Sequence, residues 1–267
     1  MELTKPKKQK LYLYLKRQRR TQNPMIRLNK FLAQSGIGSR RFVEKYIKSG
    51  EVVVNGAPVT SPSHLVDPER DRVVFRGNPV EMQAYTSYII LNKPRGYLTT
   101  AKDEHGRKTV FALVNTPARV FPVGRLDRDS EGLLLLTNDG ELSNRLIHPR
   151  YKIPKQYLVY LNARFPKELV KKFRQGIVID QKVRVTGELR FPNPADSRIC
   201  TVTITQGKNR QIRKMFAALG FRVRTLQRLA IGPIRLNKLK LGSWRYLSDR
   251  EVLSLKELVG LADGNQK

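Results

Sequence analysis

Residues 124–140 read GRLDRDSEGLLLLTNDG, a polar loop with glycines at both ends, followed by four leucines and an Asn-Asp-Gly turn. The leucines predict a buried strand over 133–137, and the sequence at 119–123 predicts a second strand that enters the loop. A loop held by a strand on each side keeps its side chains in fixed positions, as a working carboxylate requires. We therefore expect the functional centre of the chain in this segment.

The acids of this loop, Asp127, Asp129 and Glu131, allow three hypotheses. Their spacing is that of the start of an EF-hand, but Asn138 stands where the closing glutamate belongs, so a calcium loop is excluded. A magnesium-dependent nuclease with paired carboxylates stays open, although the interleaved arginines oppose a cation. The third hypothesis is a single working carboxylate, with the other acids at the surface or capping a turn.

The charge of the chain is strongly unbalanced. Its 267 residues include 52 Lys and Arg against 22 Asp and Glu, which gives a formal net charge of +30. So large an excess opposes compact folding unless a polyanion relieves it, and RNA or DNA is the usual polyanion. Because the basic residues run along the whole chain, we expect a nucleic-acid partner.

The single cysteine, Cys200, rules out an intramolecular disulfide, and the alternating stretch around it predicts a small buried strand residue. The three histidines lie far apart without cysteine neighbours, so no metal site is expected. We find no apolar signal-peptide core and no apolar run long enough to span a bilayer. These features predict a cytoplasmic protein without membrane contact.

Composition divides the chain into four parts. Residues 1–24 form a basic arm with eight Lys or Arg and one acid, and residues 256–267 form a C-terminal tail. Residues 25–83 predict two short helices followed by strands joined at an Asn-Gly turn. Residues 87–255 predict strands mixed with short helices without regular alternation, which favours an α+β domain.

Further elements of the larger part follow from apolar periodicity. Strands are predicted at 88–91, 119–123, 133–137, 156–161, 177–179 and 199–205, and helices at 140–147, 167–175 and 210–219.

The smaller part resembles a known family. Residues 27–56, RLNKFLAQSGIGSRRFVEKYIKSGEVVVNG, are similar to the small RNA-binding domain named after ribosomal protein S4. In that family two helices present basic side chains to folded RNA. The resemblance implies contacts with RNA phosphates by five residues. They are Arg27, Lys30, Arg40, Arg41 and Lys45.

The opening segment also has a counterpart. GRLDRDSEGLLLLTNDG resembles the active-site segment of pseudouridine synthases, in the branch that modifies bacterial ribosomal RNA and carries an S4-like domain in front. The resemblance implies a mixed, mainly antiparallel catalytic domain, with Asp127 as the catalytic nucleophile or base. It also implies that Arg125 helps to hold the position that the target base vacates.

Two later segments agree with this family. Residues 146–161, LIHPRYKIPKQYLVYL, resemble the stretch whose tyrosine packs against the target base, which places Tyr157 in that role; ordinary strand packing is the alternative. Residues 205–220, TQGKNRQIRKMFAALG, resemble a basic helix start whose arginine, here Arg213, pairs with the catalytic aspartate. Asn209, Arg210 and Lys214 are then expected to face RNA, and a simple amphipathic helix is the alternative.

The expected activity is isomerisation of a uridine to pseudouridine in ribosomal RNA, with large-subunit RNA favoured. No group is imported and nothing is oxidised, so neither a metal nor a small-molecule cofactor is expected, and we expect a monomer. The alternative is a non-catalytic RNA-binding protein of ribosome assembly on the same fold. Asp127 separates the two, because a pure binder has no need of this carboxylate beside Tyr157 and Arg213.

Overall fold

The structure is a computed structural model that describes residues 25–83, 85–100 and 103–261, so the predicted basic arm lies outside the described residues. The chain divides into two compact units, with the boundary between Tyr85 and Thr86. Among the described residues, no helix combines the length and the apolar character needed to cross a bilayer.

The first unit packs two helices and short antiparallel strands around one core, which includes Phe31, Val43 and Ile47. The Asn55-Gly56 turn has positive φ at both residues, as the predicted tight hairpin requires. Its elements are β1 (Ile26–Arg27), α1 (Leu28–Gln34), α2 (Arg40–Lys48), β2 (Val52–Val54), β3 (Ala57–Pro58), β4 (Leu65–Val66), β5 (Val73–Phe75) and β6 (Asn78–Pro79). The strands pair in the order β3-β2-β5-β6, with β1 on β4.

The second unit is built on a sheet of nine described strands with helices on both faces. Its strands are β7 (Tyr88–Lys93), β8 (Phe121–Pro122), β9 (Glu131–Thr137), β10 (Lys155–Leu161), β11 (Ile177–Ile179), β12 (Val183–Val185), β13 (Glu188–Arg190), β14 (Ile199–Ile204), β15 (Val223–Ile231), β16 (Ile234–Arg235) and β17 (Trp244–Tyr246). The order is β13-β14-β10-β15-β9-β7-β17, with β16 on β15 and β8 on β9, while β11 and β12 form a separate hairpin. All the pairs are antiparallel except β15 with β9.

The helices of the second unit cover the two faces of this sheet. They are α3 (Gly140–Ile147), α4 (Val170–Gln175), α5 (Gln211–Ala217) and α6 (Asp249–Leu258). Helix α5 buries Met215 and Phe216 in the core of one face, and α3 and α6 bury Leu146 and Leu255 in the core of the other. The mixed sheet and the front domain confirm the predicted α+β class.

The four leucines of the opening segment lie in β9, near the centre of the sheet. Because successive side chains of a strand point to opposite faces, Leu134 and Leu136 enter one core, and Leu133 and Leu135 enter the other. Each buried leucine contributes about 1.5–3 kcal/mol. Two cores therefore fix β9 and the end of the loop that precedes it.

Strand β15 approaches β9 closely at one glycine. Gly132 pairs with Arg228 and has a φ of 104°. A Cβ at this position would lie 2.3 Å from the carbonyl oxygen of Arg228, so only glycine fits without displacing the backbone. This approach brings Arg228 next to the loop that carries Asp127.

Most of the predicted elements of the second unit are confirmed. Helix α3 and strand β11 have the predicted bounds, β10 and β14 match within one residue, and Cys200 is fully buried in β14. Helix α6 crosses the predicted tail boundary at 255 and continues to Leu258, and Val259 is buried in the core. Strand β15, with nine residues, was not predicted. Its alternating pattern places a buried arginine at position 228, where an apolar residue is usual.

We expect Gly132→Ala to lower the free energy of unfolding by about 2–4 kcal/mol, because it adds backbone strain to overpacking. Urea denaturation followed by circular dichroism measures the change. Gly207→Ala is the control, since a Cβ there meets open space, and its effect should stay below about 0.5 kcal/mol. Equal stabilities of the two variants would contradict the close approach of β9 and β15.

Candidate active site

The loop before β9, residues 123–130, is held by the side chain of Lys93 at the end of β7. Lys93 is fully buried, and its Nζ donates hydrogen bonds to the carbonyl oxygens of Pro94 (3.1 Å), Asp127 (3.1 Å) and Ser130 (2.8 Å). Burial lowers the pKa of Lys93 to about 8, although the charge of Asp127 raises it. Charge-assisted hydrogen bonds therefore fix the loop backbone at Asp127 itself and three residues later.

The turn that follows Lys93 adds two further contacts to the same loop. Thr99 Oγ1 donates to the carbonyl oxygen of Leu126 at 2.8 Å, and the Gly96 N–H donates to the carbonyl oxygen of Arg128 at 2.8 Å. The residues immediately before and after Asp127 are thus both anchored. Because the backbone is fixed on both sides, the Cα atom of Asp127 has little freedom to change its position.

Asp127 opens into a cleft of about 440 Å³, a volume within the usual range of ligand sites of about 300–1,000 Å³. Its carboxylate is the one acidic group among the described lining residues, and Tyr157 contributes a buried aromatic wall from β10. Basic residues lie around both. They are Arg125, Lys155, Lys208, Arg210 and Arg228.

Each of the three acids Asp127, Asp129 and Glu131 faces a guanidinium. Asp127 Oδ2 lies 3.8 Å from Arg210 Nη1, Asp129 lies 3.1 Å from the same atom, and Glu131 lies 3.4 Å from Arg95. Within the described residues, no group of three or more potential ligands is placed to hold a metal ion. Asp127 and Asp129 meet the positive charge of Arg210, which opposes the binding of a cation between them as a magnesium-dependent nuclease would require.

The expected pair between Arg213 and Asp127 is replaced by a pair with Asp129. Arg213 Nη2 lies 3.3 Å from Asp129 Oδ2 and donates to the Asp129 carbonyl oxygen at 3.1 Å, while Nη1 donates to the carbonyl oxygen of Val223 at 2.9 Å. These contacts hold the guanidinium away from the lining of the cleft. The arginine within 4 Å of Asp127, in the described chain, is Arg210, at the start of the same helix.

Asp129 connects the two arginines of this helix. Burial raises the pKa of Asp129, but a hydrogen bond from Arg210 and the charge of Arg213 outweigh burial and hold that pKa below its usual value. Burial lowers the pKa of the Arg213 guanidinium. Asp129, which was given no role from the sequence, is therefore the residue that orients α5 on the loop.

The other residues expected in the site divide into two groups. Arg125, Tyr157, Asn209 and Arg210 line the cleft beside Asp127. Lys214 lies outside it, because its Nζ is paired with Asp180 Oδ2 at 2.6 Å. Its contact with RNA stays a prediction.

The basic residues predicted to bind RNA in the first unit lie on β1, α1 and α2, and most of them are exposed. The ion pairs between described residues of this unit involve other side chains, Arg70 with Asp67 and Arg76 with Glu51. The charges of the predicted set are therefore available to a partner. The set is Arg27, Lys30, Arg40, Arg41 and Lys45.

Comparison with known proteins identifies the family. The family of RNA pseudouridylate synthases matches residues 87–218, and the S4 domain family matches residues 26–73. An uncharacterized RNA pseudouridine synthase of Aquifex aeolicus is 44% identical over 239 residues, which cover 88% of this chain and 96% of that protein. The chain belongs to the RNA pseudouridine synthase family.

Two further similarities agree with this family. The ribosomal large subunit pseudouridine synthase B of Bacillus subtilis is 40% identical over 238 residues, covering 88% of this chain and 97% of that protein. A crystal structure of a pseudouridylate synthase has 31% sequence identity and a TM-score of 0.63, and covers 86% of this chain and 99% of its own. This pseudouridine synthase is thus an isomerase with an S4 domain in front of its larger domain.

Four basic residues of the site were missed in the sequence, and one of them, Lys208, is exposed at the rim of the cleft. Lys93, Lys155 and Arg228 are buried or half-buried around the cleft of the pseudouridine synthase, whereas lysine and arginine usually indicate a solvated surface. One signal was present for Lys93, which is the last residue of the mainly apolar strand β7 and directly precedes Pro94. Arg228 gave no such signal, because its strand was not predicted.

We expect Lys93→Met to slow pseudouridine formation at saturating RNA by about 10²-fold, because a displacement of about 1 Å in a reacting group has that effect. The free energy of unfolding should also fall by about 2–4 kcal/mol, since three carbonyl oxygens lose their hydrogen-bond donor. Single-turnover assays and urea denaturation measure the two effects. Lys171→Met, on the exposed face of α4, is the matched control; a wild-type rate in Lys93→Met would exclude the anchoring role.

Proposed function

We propose that this pseudouridine synthase isomerises one uridine of ribosomal RNA, with large-subunit RNA favoured, and that Asp127 is its catalytic nucleophile or base. The observation that supports the proposal is the setting of Asp127. Its carboxylate is 31% exposed, lines the cleft beside Tyr157, and stands on a loop that Lys93 holds rigidly. The 40% identical Bacillus subtilis relative, by its name, acts on the large ribosomal subunit.

The reaction exchanges one bond of the ribose for another. The bond between C1′ and N1 of the uracil breaks, C5 forms a bond to C1′, C5 loses a proton and N1 gains one. Nothing is oxidised and no group is transferred from outside, so we propose that no cofactor or metal takes part. A carboxylate suffices as the nucleophile towards the sugar or ring, or as the base that removes a ribose proton.

The target base must leave the RNA stack before it reaches Asp127, which requires a few kcal/mol. Packing against the Tyr157 ring recovers about 1–3 kcal/mol of that energy. At the rim of the cleft, the exposed Arg125 side chain is suited to hold the position that the base vacates. Asn209 and Arg210, also exposed on the rim, are suited to the flanking backbone.

Arg213 and Lys214 have indirect roles in this proposal. Arg213 acts as a positioning residue, because it binds Asp129 and thereby orients the loop two residues after Asp127. Lys214 joins α5 to Asp180, so its contact with RNA is the least supported of the set.

The domains have separate tasks in the proposed function. Residues 25–83 bind folded RNA through the exposed basic side chains of the S4 domain, and residues 87–255, extended to 261 by the packing of α6, carry the chemistry. The arm of residues 1–24 adds sequence-independent affinity for phosphates. We propose that the protein acts as a cytoplasmic monomer.

Asp127→Asn tests the proposal, because it removes the charge of the carboxylate and preserves its size. In cells that carry this variant instead of the wild type, chemical mapping of ribosomal RNA should show one missing pseudouridine. The purified variant should be slower by on the order of 10²–10⁴-fold. Asp249→Asn, an exposed aspartate in the first turn of α6, is the control and should leave the map complete.

The same map of pseudouridines distinguishes the proposed enzyme from the alternative, a non-catalytic RNA-binding protein. If Asp127→Asn leaves every pseudouridine in place, with equal protein level and equal RNA binding, the chain is an RNA-binding assembly factor on this fold. Activity that survives EDTA is expected as well, since no step in the proposed reaction uses a metal ion.

Deletion of residues 1–24 is expected to weaken RNA binding and to flatten its salt dependence. The arm carries eight Lys or Arg, and each phosphate contact contributes about 0.7–0.9 to the slope of log Kd against log salt. Filter binding between 50 and 200 mM salt measures the slope. Deletion of residues 262–267, which carry one Lys and one Asp, should leave it unchanged. An equal slope for both truncations would show that the arm contacts no phosphate.

A further inference from the structure

Two cations lie together on the buried side of the cleft that contains Asp127. Arg228, 3% exposed, donates from Nε to the carbonyl oxygen of Leu133 at 2.7 Å, while its Nη2 is buried without a hydrogen-bond partner among the described residues. Lys155, on the neighbouring strand β10, donates to the carbonyl oxygen of Ile153 at 3.1 Å. In the described chain, no carboxylate comes within 4 Å of either, and the ion pairs beside the cleft go to Arg210 and Arg213.

This arrangement destabilises the free protein. Burial, together with the charge of Arg228, lowers the pKa of Lys155 to about 8. Ser130 Oγ lines the same cleft and is also buried without a partner among the described residues. A half-buried cation beside a buried one, together with an unused hydroxyl group, is unfavourable unless a ligand brings negative charge and acceptor atoms. The cleft is therefore suited to such a ligand.

The depth of these side chains in the cleft decides which part of an RNA can reach them. Arg228 and Tyr157 are almost completely buried, whereas Arg125, Lys208 and Arg210 stand exposed at the rim. A phosphodiester carries a ribose on each side and stays at the rim with the exposed cations. A flipped uracil is flat and small, so its carbonyl oxygens are the acceptors that reach the buried side.

We propose that Lys155 and Arg228 stabilise the negative charge that develops on the carbonyl oxygens of the target uracil, an inference that rests on the function proposed above. When the C1′–N1 bond breaks, its electron pair passes to N1 and spreads over O2 and O4. The negative charge disappears when C5 bonds to C1′, C5 releases its proton and N1 takes one up. If Asp127 first adds to the ring, the electrons that it displaces also move to a ring oxygen.

The test is Lys155→Met, with Lys171→Met as a control that removes the same charge from the exposed face of α4. Single-turnover conversion at saturating RNA should fall by about 10²–10³-fold, as when one donor to a developing oxyanion is removed. The Kd and its salt slope should stay within twofold of the wild-type values. Lys155→Arg keeps the charge and should recover most of the lost rate.

The alternative outcomes are distinct. Suppose that Lys155→Met binds RNA more weakly, with a salt slope lower by about 1, but converts saturating RNA at the normal rate. Lys155 would then contact a phosphate, and the proposal would be wrong. A wild-type rate and a wild-type Kd would overturn it as well. The melting temperature of Lys155→Met should equal or exceed that of the wild type, because a half-buried cation with little compensation is removed. Lys155→Gln is the second variant if the methionine variant does not fold.

Failure of this inference can be separated from failure of the proposed function. In one outcome the wild type forms the pseudouridine, Asp127→Asn does not, and both Lys155→Met and Lys155→Gln keep the full rate. Only the proposed role of Lys155 and Arg228 is then wrong. If the wild type itself forms no pseudouridine in ribosomal RNA, the proposed function fails, and the inference fails with it.

Discussion

The ammonium group of Lys93 is enclosed at the end of β7 and meets three backbone carbonyl oxygens, two of them in the loop that carries Asp127. Burial of an ammonium group is unfavourable unless acceptors replace its water, so these carbonyls must converge on one point. Their convergence fixes the loop relative to the sheet. A reactive carboxylate on a flexible loop would sample many positions, whereas here the peptide unit that carries Asp127 is itself an acceptor of the buried charge.

The sheet extends this constraint across three strands. Lys93 pairs with Gly132 on β9, and Gly132 pairs with Arg228 on β15, so two buried cations flank the glycine at the exit of the loop. The missing side chain at Gly132 permits this approach, because any Cβ would meet the backbone of β15. Burial lowers the pKa of both Lys93 and Lys155, and the charge of Arg228 lowers both further. Positive charge is thus concentrated around the cleft at some expense in stability, as is common where a site is built for a charged reaction.

The arginines of α5 divide their tasks by position. Arg210 stands at the start of the helix with a left-handed φ of 51°, and reaches both Asp127 and Asp129. Arg213, one turn later, is tied to Asp129 and to β15, and so serves the geometry of the loop. Sequence resemblance predicts which residue type stands at a position. The length of its side chain and the surrounding strands decide which acid it contacts.

Local patterns in the sequence determined the elements that depend on neighbouring residues. The leucine run gave β9, Asp139 caps α3 at the predicted start, the Asn55-Gly56 turn closes the predicted hairpin, and Asp127 and Tyr157 were singled out from the segments around them. The tertiary structure alone decided the insertion of β15 between β10 and β9, the burial of Lys93 and Arg228 with Lys155 half-buried beside them, and the pairing of Arg213 with Asp129. The physical reason is distance along the chain. Periodicity and capping act over a few residues, whereas strand order and register bring together groups 34 to 96 positions apart.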